Sequence, residues 1–392
     1  MIFQVLQNHL FVDGDLKLYQ PSEILTHTWN YSKILQDIRP ECAKIWTEGK
    51  NLDSCCPFSL KDEWDKNKNK IRGYIKSFQS VGLDVSNIDY VNFIPEKFIK
   101  KYLQNINQIC DHVFLSCEKP NNYDFMLDLI CMIEDIKSQT LKLDMEFLKS
   151  RVSNPYIRNL WKKLQNKESR IVYNPYGTVT GRLGIQSGSF PILNISKEAR
   201  GAILPHNDCF VELDFNAAEL RTLLSLSGNE QPEEDIHDYN NKELFGNSLS
   251  RDEIKKKTFS WLYDQKKVDK SFEKVYNRLH VLEKYWNEKE EMVRTPFGRK
   301  IKADRDHALN YIIQSASSDN FLTQAIKISK LLKGRKTNVA FTIHDSMVLD
   351  FSLSDKGMVK SLIEEFSNTE LGKFKVNVSG GKNFGNLKEM KL

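Results

Sequence analysis

An α+β fold is what this sequence predicts, with antiparallel strands and helices alternating in its carboxy-terminal half. Three observations carry the prediction. In "VAFTIHDSMVLDF" (339–351), apolar residues alternate on both sides of the polar triplet His344-Asp345-Ser346, the pattern of two strands joined by a tight exposed turn. "FVELDFNAAELRTLLSLSG" (210–228) begins as a strand and becomes a helix, with Leu220, Leu223 and Leu224 at i, i+3 and i+4 before a Gly stop. Two long segments, 251–264 and 307–332, contain no Gly or Pro and carry helical spacing.

The 392 residues are 40% hydrophobic, enough for two or three domains or one multi-lobed unit. No apolar run is long enough to span a bilayer, and the first twenty residues have neither a basic start nor a small-residue cleavage site. The expectation is a soluble intracellular protein without a membrane partner. Seven cysteines (42, 55, 56, 110, 117, 131 and 209) contain no C-x-x-C pair, which argues for reduced thiols over a disulfide framework or a zinc site. The net charge of +5 fits a polyanionic partner and many ordinary enzymes alike.

Along the chain, residues 1–120 mix short strand-like and helical pieces. "VDGD" (12–15) reads as an Asp-Gly turn rather than a metal site. Helical apolar spacing then runs over 123–152. "TVTGRLG" (178–184) predicts a turn presenting Arg182. The strand at 210–215 leaves Asp214 near its end. Ser250 is placed to N-cap the helix at 251–264, on which Arg251, Lys255, Phe259 and Tyr263 recur every four residues over roughly 18 Å. Two cations followed by two aromatics match a ligand with phosphate at one end and base plus sugar at the other. The same spacing equally describes an amphipathic helix with Phe and Tyr in the core and snorkelling cations. Asn310 and Gln314 sit four apart on the helix at 307–332, as base-edge readers or as plain surface. Asp214 and Asp345, far apart in sequence, can meet on adjacent strands. Such a pair suits hard divalent cations, of which two can serve phosphoryl transfer.

The ordered set "TGRL", "LDFNAAELR", R-x3-K-x3-F-x3-Y, "LNYIIQ" and "HDS", closing on "GGKNFG", resembles the polymerase domain of family A DNA polymerases, the DNA polymerase I type, over residues 170–385. The resemblance implies a right-hand fold: an antiparallel-sheet palm, helical fingers and a reduced thumb. It divides the chain into 1–120, an exonuclease-like remnant or partner-docking module without recognisable proofreading carboxylates; 121–175, the thumb; and 176–392, palm and fingers, the fingers over about 229–300. A compact, phage-like enzyme is expected, in the cytoplasm of a bacterial or phage-infected cell or in an organelle.

Carried over residue by residue, the resemblance makes Asp214, Asp345 and the Phe215 carbonyl the ligands of two Mg²⁺ ions, with Mn²⁺ as an alternative. Arg251 and Lys255 hold the triphosphate, Lys255 as proton donor to pyrophosphate, and His237 of "EEDIHDY" lies on the phosphate side. Phe259 packs near the incoming sugar and Tyr263 near the templating base. Arg182, Asn310 and Gln314 touch the primer–template minor groove, and His344 supports the primer terminus. Glu219 blocks a ribose 2′-hydroxyl. The implied partners are primer–template DNA, deoxynucleoside triphosphates and a replication partner such as a helicase or processivity factor.

Ser346 departs from the family's Glu and is shared with single-subunit RNA polymerases. Glu219 and Phe259 fall on the DNA-enzyme side. The alternatives are therefore a single-subunit RNA polymerase or primase-like enzyme, and a catalytically inactive DNA-binding scaffold.

Overall fold

The computed structural model describes residues 9–12, 15–18, 27–31, 41–83, 93–165, 168–264 and 267–390. The chain divides into two compact units, Met1–Asp135 and Ile136–Leu392.

In the first unit, strands His9–Val12 and Asp15–Leu18 pair antiparallel with Val12 opposite Asp15. Asp13 and Gly14, between them, lie outside the described residues. Two long helices, Lys61–Ser80 and Glu96–Ser116, replace the short pieces expected of this region. The apolar signal of Lys61–Ser80 is a narrow stripe within a lysine-rich background. Trp64, Ile71 and Ile75 are buried at helical spacing, and Trp64 stacks on Tyr102 of the second helix at 5.6 Å.

The helical spacing over 123–152 is realised as two helices, Tyr123–Ser138 and Met145–Lys149. Between them, Lys142–Leu143 pairs with Ile203–Leu204, and the Asp144 carboxylate caps the second helix by accepting from Phe147 N.

The second unit is built on a five-stranded antiparallel sheet. In chain order its strands are β1 (Cys209–Phe215), β2 (Asn338–Ile343), β3 (Ser346–Phe351), β4 (Val376–Gly381) and β5 (Lys388–Glu389), arranged β2-β3-β1-β4-β5. Its helices used below are α1 (Ala218–Leu226), α2 (Ile236–Phe245), α3 (Arg251–Tyr263), α4 (Arg305–Leu331) and α5 (Val359–Ser367).

Alternation along β1 sends Leu213 and Phe215 to one face and Glu212 and Asp214 to the other. On the first face, Phe215 stacks on Phe366 of α5 at 4.4 Å and meets Phe321 of α4 and Phe374 edge-on. Truncating one such ring to Ala costs about 3–5 kcal/mol, so the aromatic cluster fixes the strand that carries Asp214. At the other end of the opposite face, Phe210 meets Phe341 edge-on at 5.9 Å.

The strand-to-helix reading of 210–228 is realised by β1 and α1. Leu223 and Leu224 are fully buried, and Gly228 has φ +84° just past the helix. Ala217 joins the two elements with φ +50°, a left-handed conformation that costs a non-Gly residue about 1–2 kcal/mol. It turns the chain within two residues and brings Glu219, on the first turn of α1, close behind Asp214 in sequence.

Candidate active site

β1 lies between β3 and β4, so Asp214 has a neighbour on each side: Ser346 on β3 and Asn377 on β4. The β2–β3 hairpin closes with Ile343 opposite Ser346, leaving a two-residue turn of His344 and Asp345. His344 takes φ +53°, as such turns require, and is exposed. Asp345 therefore sits one residue from the direct cross-strand partner of Asp214.

The triplet is less exposed than its turn position suggests. Asp345 is half-buried and Ser346 is buried, because Ser346 already belongs to β3. Its hydroxyl donates to Glu212 Oε1 at 3.0 Å, diagonally across the strand pair.

Burial pushes the Asp214 carboxyl up to about 7, helped by the charges of Glu212 and Asp345 and opposed by a 3.4 Å hydrogen bond from Asn377 Nδ2. Asp345 is also raised by burial; the Arg182 charge opposes this and the Glu219 charge adds to it. Two partly desolvated carboxylates with this little cationic compensation form a donor set suited to a hard divalent ion. Among the described residues there is no group of three or more His, Cys, Asp or Glu side chains able to hold a metal. A cation on Asp214 and Asp345 would complete its shell from main-chain oxygens such as Phe215 O, water and substrate, as Mg²⁺ commonly does.

The cationic helix α3 starts as expected. Ser250 accepts from Glu253 N while the Glu253 carboxylate accepts from Ser250 N, a full capping box. Its buried face is Ile254, Thr258, Trp261 and Leu262. Phe259 and Tyr263 are not core residues: they remain 36% and 46% exposed, with rings parallel within 3° and 6.0 Å apart. Lys255 Nζ lies 6.0 Å from the Phe259 ring centre. Arg251 donates to Asp235 Oδ2 at 2.8 Å. The face thus runs from cations to an open aromatic pair.

Glu219 is buried and accepts hydrogen bonds from both Arg182 and the Tyr263 hydroxyl. Burial and the bond to Glu219 raise the Tyr263 phenol above its ordinary range. Arg182 follows Gly181, whose φ is +79° and whose missing Cβ would lie 2.4 Å from the Arg299 guanidinium carbon. Arg299 in turn makes a bidentate pair with buried Asp319. Glycine in "TGRL" is therefore required twice, by conformation and by space.

His237, on the first turn of α2, is 4% exposed, and its ring lies 6.0 Å from Phe259. Burial lowers its pKa; the Asp235 charge opposes this while Arg251 and Lys255 reinforce it. Its Nδ1 is buried with no partner among the described residues.

The comparisons with known proteins bear on this arrangement. No protein-family model matches the chain, and no curated protein matches it. Among solved structures it is similar to the polymerase domain of Pol1 from M. smegmatis, in complex with DNA primer-template and dNTP. That similarity has a TM-score of 0.59 at 12% sequence identity, over 75% of this chain and 76% of that chain. The fold is a polymerase fold.

Within it, Asp214 and Asp345 share one end of the sheet, while Glu219, Tyr263 and Arg182 are joined by hydrogen bonds. His237, Phe259, Lys255 and Arg251 gather along α2 and α3. Asn310 and Gln314 are half-buried on α4. Two features went unread in the sequence. Glu212 shares a face with Asp214, which strand alternation alone could have revealed. Asp235 stands where an N-cap would, directly before Ile236-His237.

Proposed function

We propose that this chain is a template-directed DNA polymerase that adds deoxynucleotides to a primer 3′ end by two-metal phosphoryl transfer, without 3′–5′ proofreading. The observation that carries the reading is the pair of carboxylates at one end of the sheet, Asp214 on β1 and Asp345 in the turn that leads into the neighbouring β3, together with a helix whose open face bears Arg251, Lys255, Phe259 and Tyr263. The polymerase fold and its solved neighbour's primer-template and dNTP support the same substrates here.

In this reading the β-sheet is the palm, residues 229–300 the fingers and 121–175 a reduced thumb. Residues 1–120 are a remnant or docking module. Mg²⁺ ions bound by Asp214, Asp345 and the Phe215 carbonyl would activate the primer hydroxyl and stabilise the departing oxygen. Asp214 must release its proton for that, which its pKa of about 7 allows near neutral pH.

Arg251 and Lys255 neutralise the triphosphate, and Lys255 donates a proton to the leaving pyrophosphate. His237, kept neutral by burial, presents a hydrogen-bonding group to the phosphate side without adding charge. Phe259 and Tyr263 give the base and sugar a flat apolar wall. Glu219, held by Arg182 and Tyr263, occupies the space of a 2′-hydroxyl, the one sugar atom that separates the two nucleotide classes. Arg182, Asn310 and Gln314 contact the primer–template, and His344 the primer terminus.

The test is extension of a labelled primer on a DNA template with Mg²⁺, comparing deoxynucleotides with ribonucleotides, for the wild type and Asp345→Ala. Templated deoxynucleotide addition that vanishes in the variant supports the proposal. Ser346 is the feature that favours the RNA-polymerase reading, and equal use of both sugars or synthesis without a primer would select it. DNA binding with no synthesis would select an inactive scaffold.

A further inference from the structure

We infer that Asp235 is the positioning residue for the triphosphate end of α3, holding the Arg251 guanidinium to the strand that carries Asp214. The inference rests on the function proposed above and adds a residue to it.

Four donors converge on this one carboxylate. Oδ1 caps α2 by accepting from His237 N at 2.9 Å and Asp238 N at 3.3 Å. Oδ2 accepts from Asn216 Nδ2 and from Arg251 Nη2, each at 2.8 Å. Asn216 directly follows β1, two residues after Asp214, and is pinned on its other side. Its Oδ1 accepts from Ile236 N at 3.0 Å and Arg221 Nη2 at 3.2 Å, and its main-chain oxygen from Arg221 Nε at 2.9 Å. Arg221 is fully buried and spends its remaining donors on the main-chain oxygens of Pro232 and Glu234 and on Gln231 Oε1. The loop from 229 to 235 is thereby locked to the end of β1, with Asp235 at its tip.

The asymmetry of the Arg251 contact indicates what this network serves. Asp235 is only 15% exposed, whereas Arg251 is 56% exposed and, among the described residues, makes one ion pair, through a single nitrogen. A pair built for stability alone would close the fork in two bonds, as Arg299 and Asp319 do in the same unit. Here the guanidinium is anchored at one corner and its other donors remain available for phosphate oxygens. A long, exposed Arg loses much rotamer freedom when it captures a phosphate. Asp235 removes part of that cost in advance, and fixes the reach of Arg251 relative to the carboxylate strand. The charge of Asp235 is reliable throughout the working range. Burial alone would raise it, but hydrogen bonds from Arg251 and Asn216 hold it at about 2.

The test measures deoxynucleoside triphosphate binding to the full chain on a chain-terminated primer–template, together with steady-state extension, for wild type, Asp235→Ser, Arg251→Ala and the double variant. Ser retains the ability to cap α2 and removes the anchor. The expected result is about tenfold weaker nucleotide binding and a matching rise in KM, with kcat changed much less. In the Arg251→Ala background the same substitution should change binding less than twofold, because a positioning residue acts through its partner. Thermal melting run in parallel reports folding. If Asp235→Ser unfolds, Asp235→Asn replaces it, keeping shape and one cap acceptor while facing Asn216 and Arg251 with a donor.

Unchanged binding in the single variant overturns the inference, as does an equal loss with and without Arg251, which marks a structural role only. A wild type that neither binds the nucleotide nor extends the primer refutes the proposed function itself, and the inference with it, before any variant is compared.

Discussion

Asp214→Asn should make the metal-free protein more stable and abolish its synthesis. In the unfolded chain this carboxyl titrates near 3.8, and in the folded protein at about 7. Between those values the native state binds the extra proton, so stability falls as pH rises from about 4 to about 7 and is flat above. At 1.36 kcal/mol per pH unit, the full interval corresponds to about 4 kcal/mol at pH 8 and about 2 kcal/mol at pH 5. Asn keeps the carboxyl's shape, still accepts from Asn377, and can donate toward Glu212, the neighbour that opposes ionisation. Urea denaturation in chelator should therefore show a gain for Asp214→Asn at pH 8 that shrinks to about 2 kcal/mol at pH 5. Added Mg²⁺ should stabilise the wild type at pH 8 and leave the variant unmoved. Equal stability of the two proteins at pH 8, or a gain independent of pH, would refute the claim that burial and neighbouring charge act against this carboxylate.

Glu219→Ala should admit ribonucleotides, lowering discrimination against them about 10- to 100-fold, as read from the ratio of kcat/KM values for the two sugars. It also frees Arg182 and Tyr263, so deoxynucleotide use should fall as well. Gly181→Ala forces a methyl group into the Arg299 guanidinium at a left-handed backbone position; a loss of about 2–4 kcal/mol in chemical denaturation is expected. Ser346→Glu places a second carboxylate against Glu212, which now accepts from the Ser346 hydroxyl. It should lower the melting temperature by several degrees, with Glu212→Ser in the same chain restoring most of the loss.

What could be read from the sequence was what depends on local periodicity. The hairpin at Asn338–Phe351, the strand-to-helix passage into α1 and the Ser250 cap all follow from spacing within a dozen residues, and each stands where the pattern put it. Periodicity did not say which face of α3 would be covered. Four-residue spacing serves a core stripe and a ligand face equally, and the matter is settled by Ile254, Thr258, Trp261 and Leu262 taking the buried side. The helix Lys61–Ser80 of the first unit was obscured for the opposite reason: one narrow apolar stripe among many lysines and asparagines.

Networks were the least legible level. Asp235, Asn216 and Arg221 lie within twenty residues of one another, yet nothing in their types distinguishes a cap, an amide and a surface cation from a single locked assembly. The distinction arises when Arg221 is buried without a direct ion pair and satisfies its donors on the main-chain oxygens of Asn216, Pro232 and Glu234 and the side-chain amide oxygens of Asn216 and Gln231. That requirement fixes the loop, the loop fixes Asp235, and Asp235 reaches Arg251. A burial decision made in the core at Arg221 thus reaches, through Asn216 and Asp235, the exposed cation on which nucleotide binding is proposed to depend.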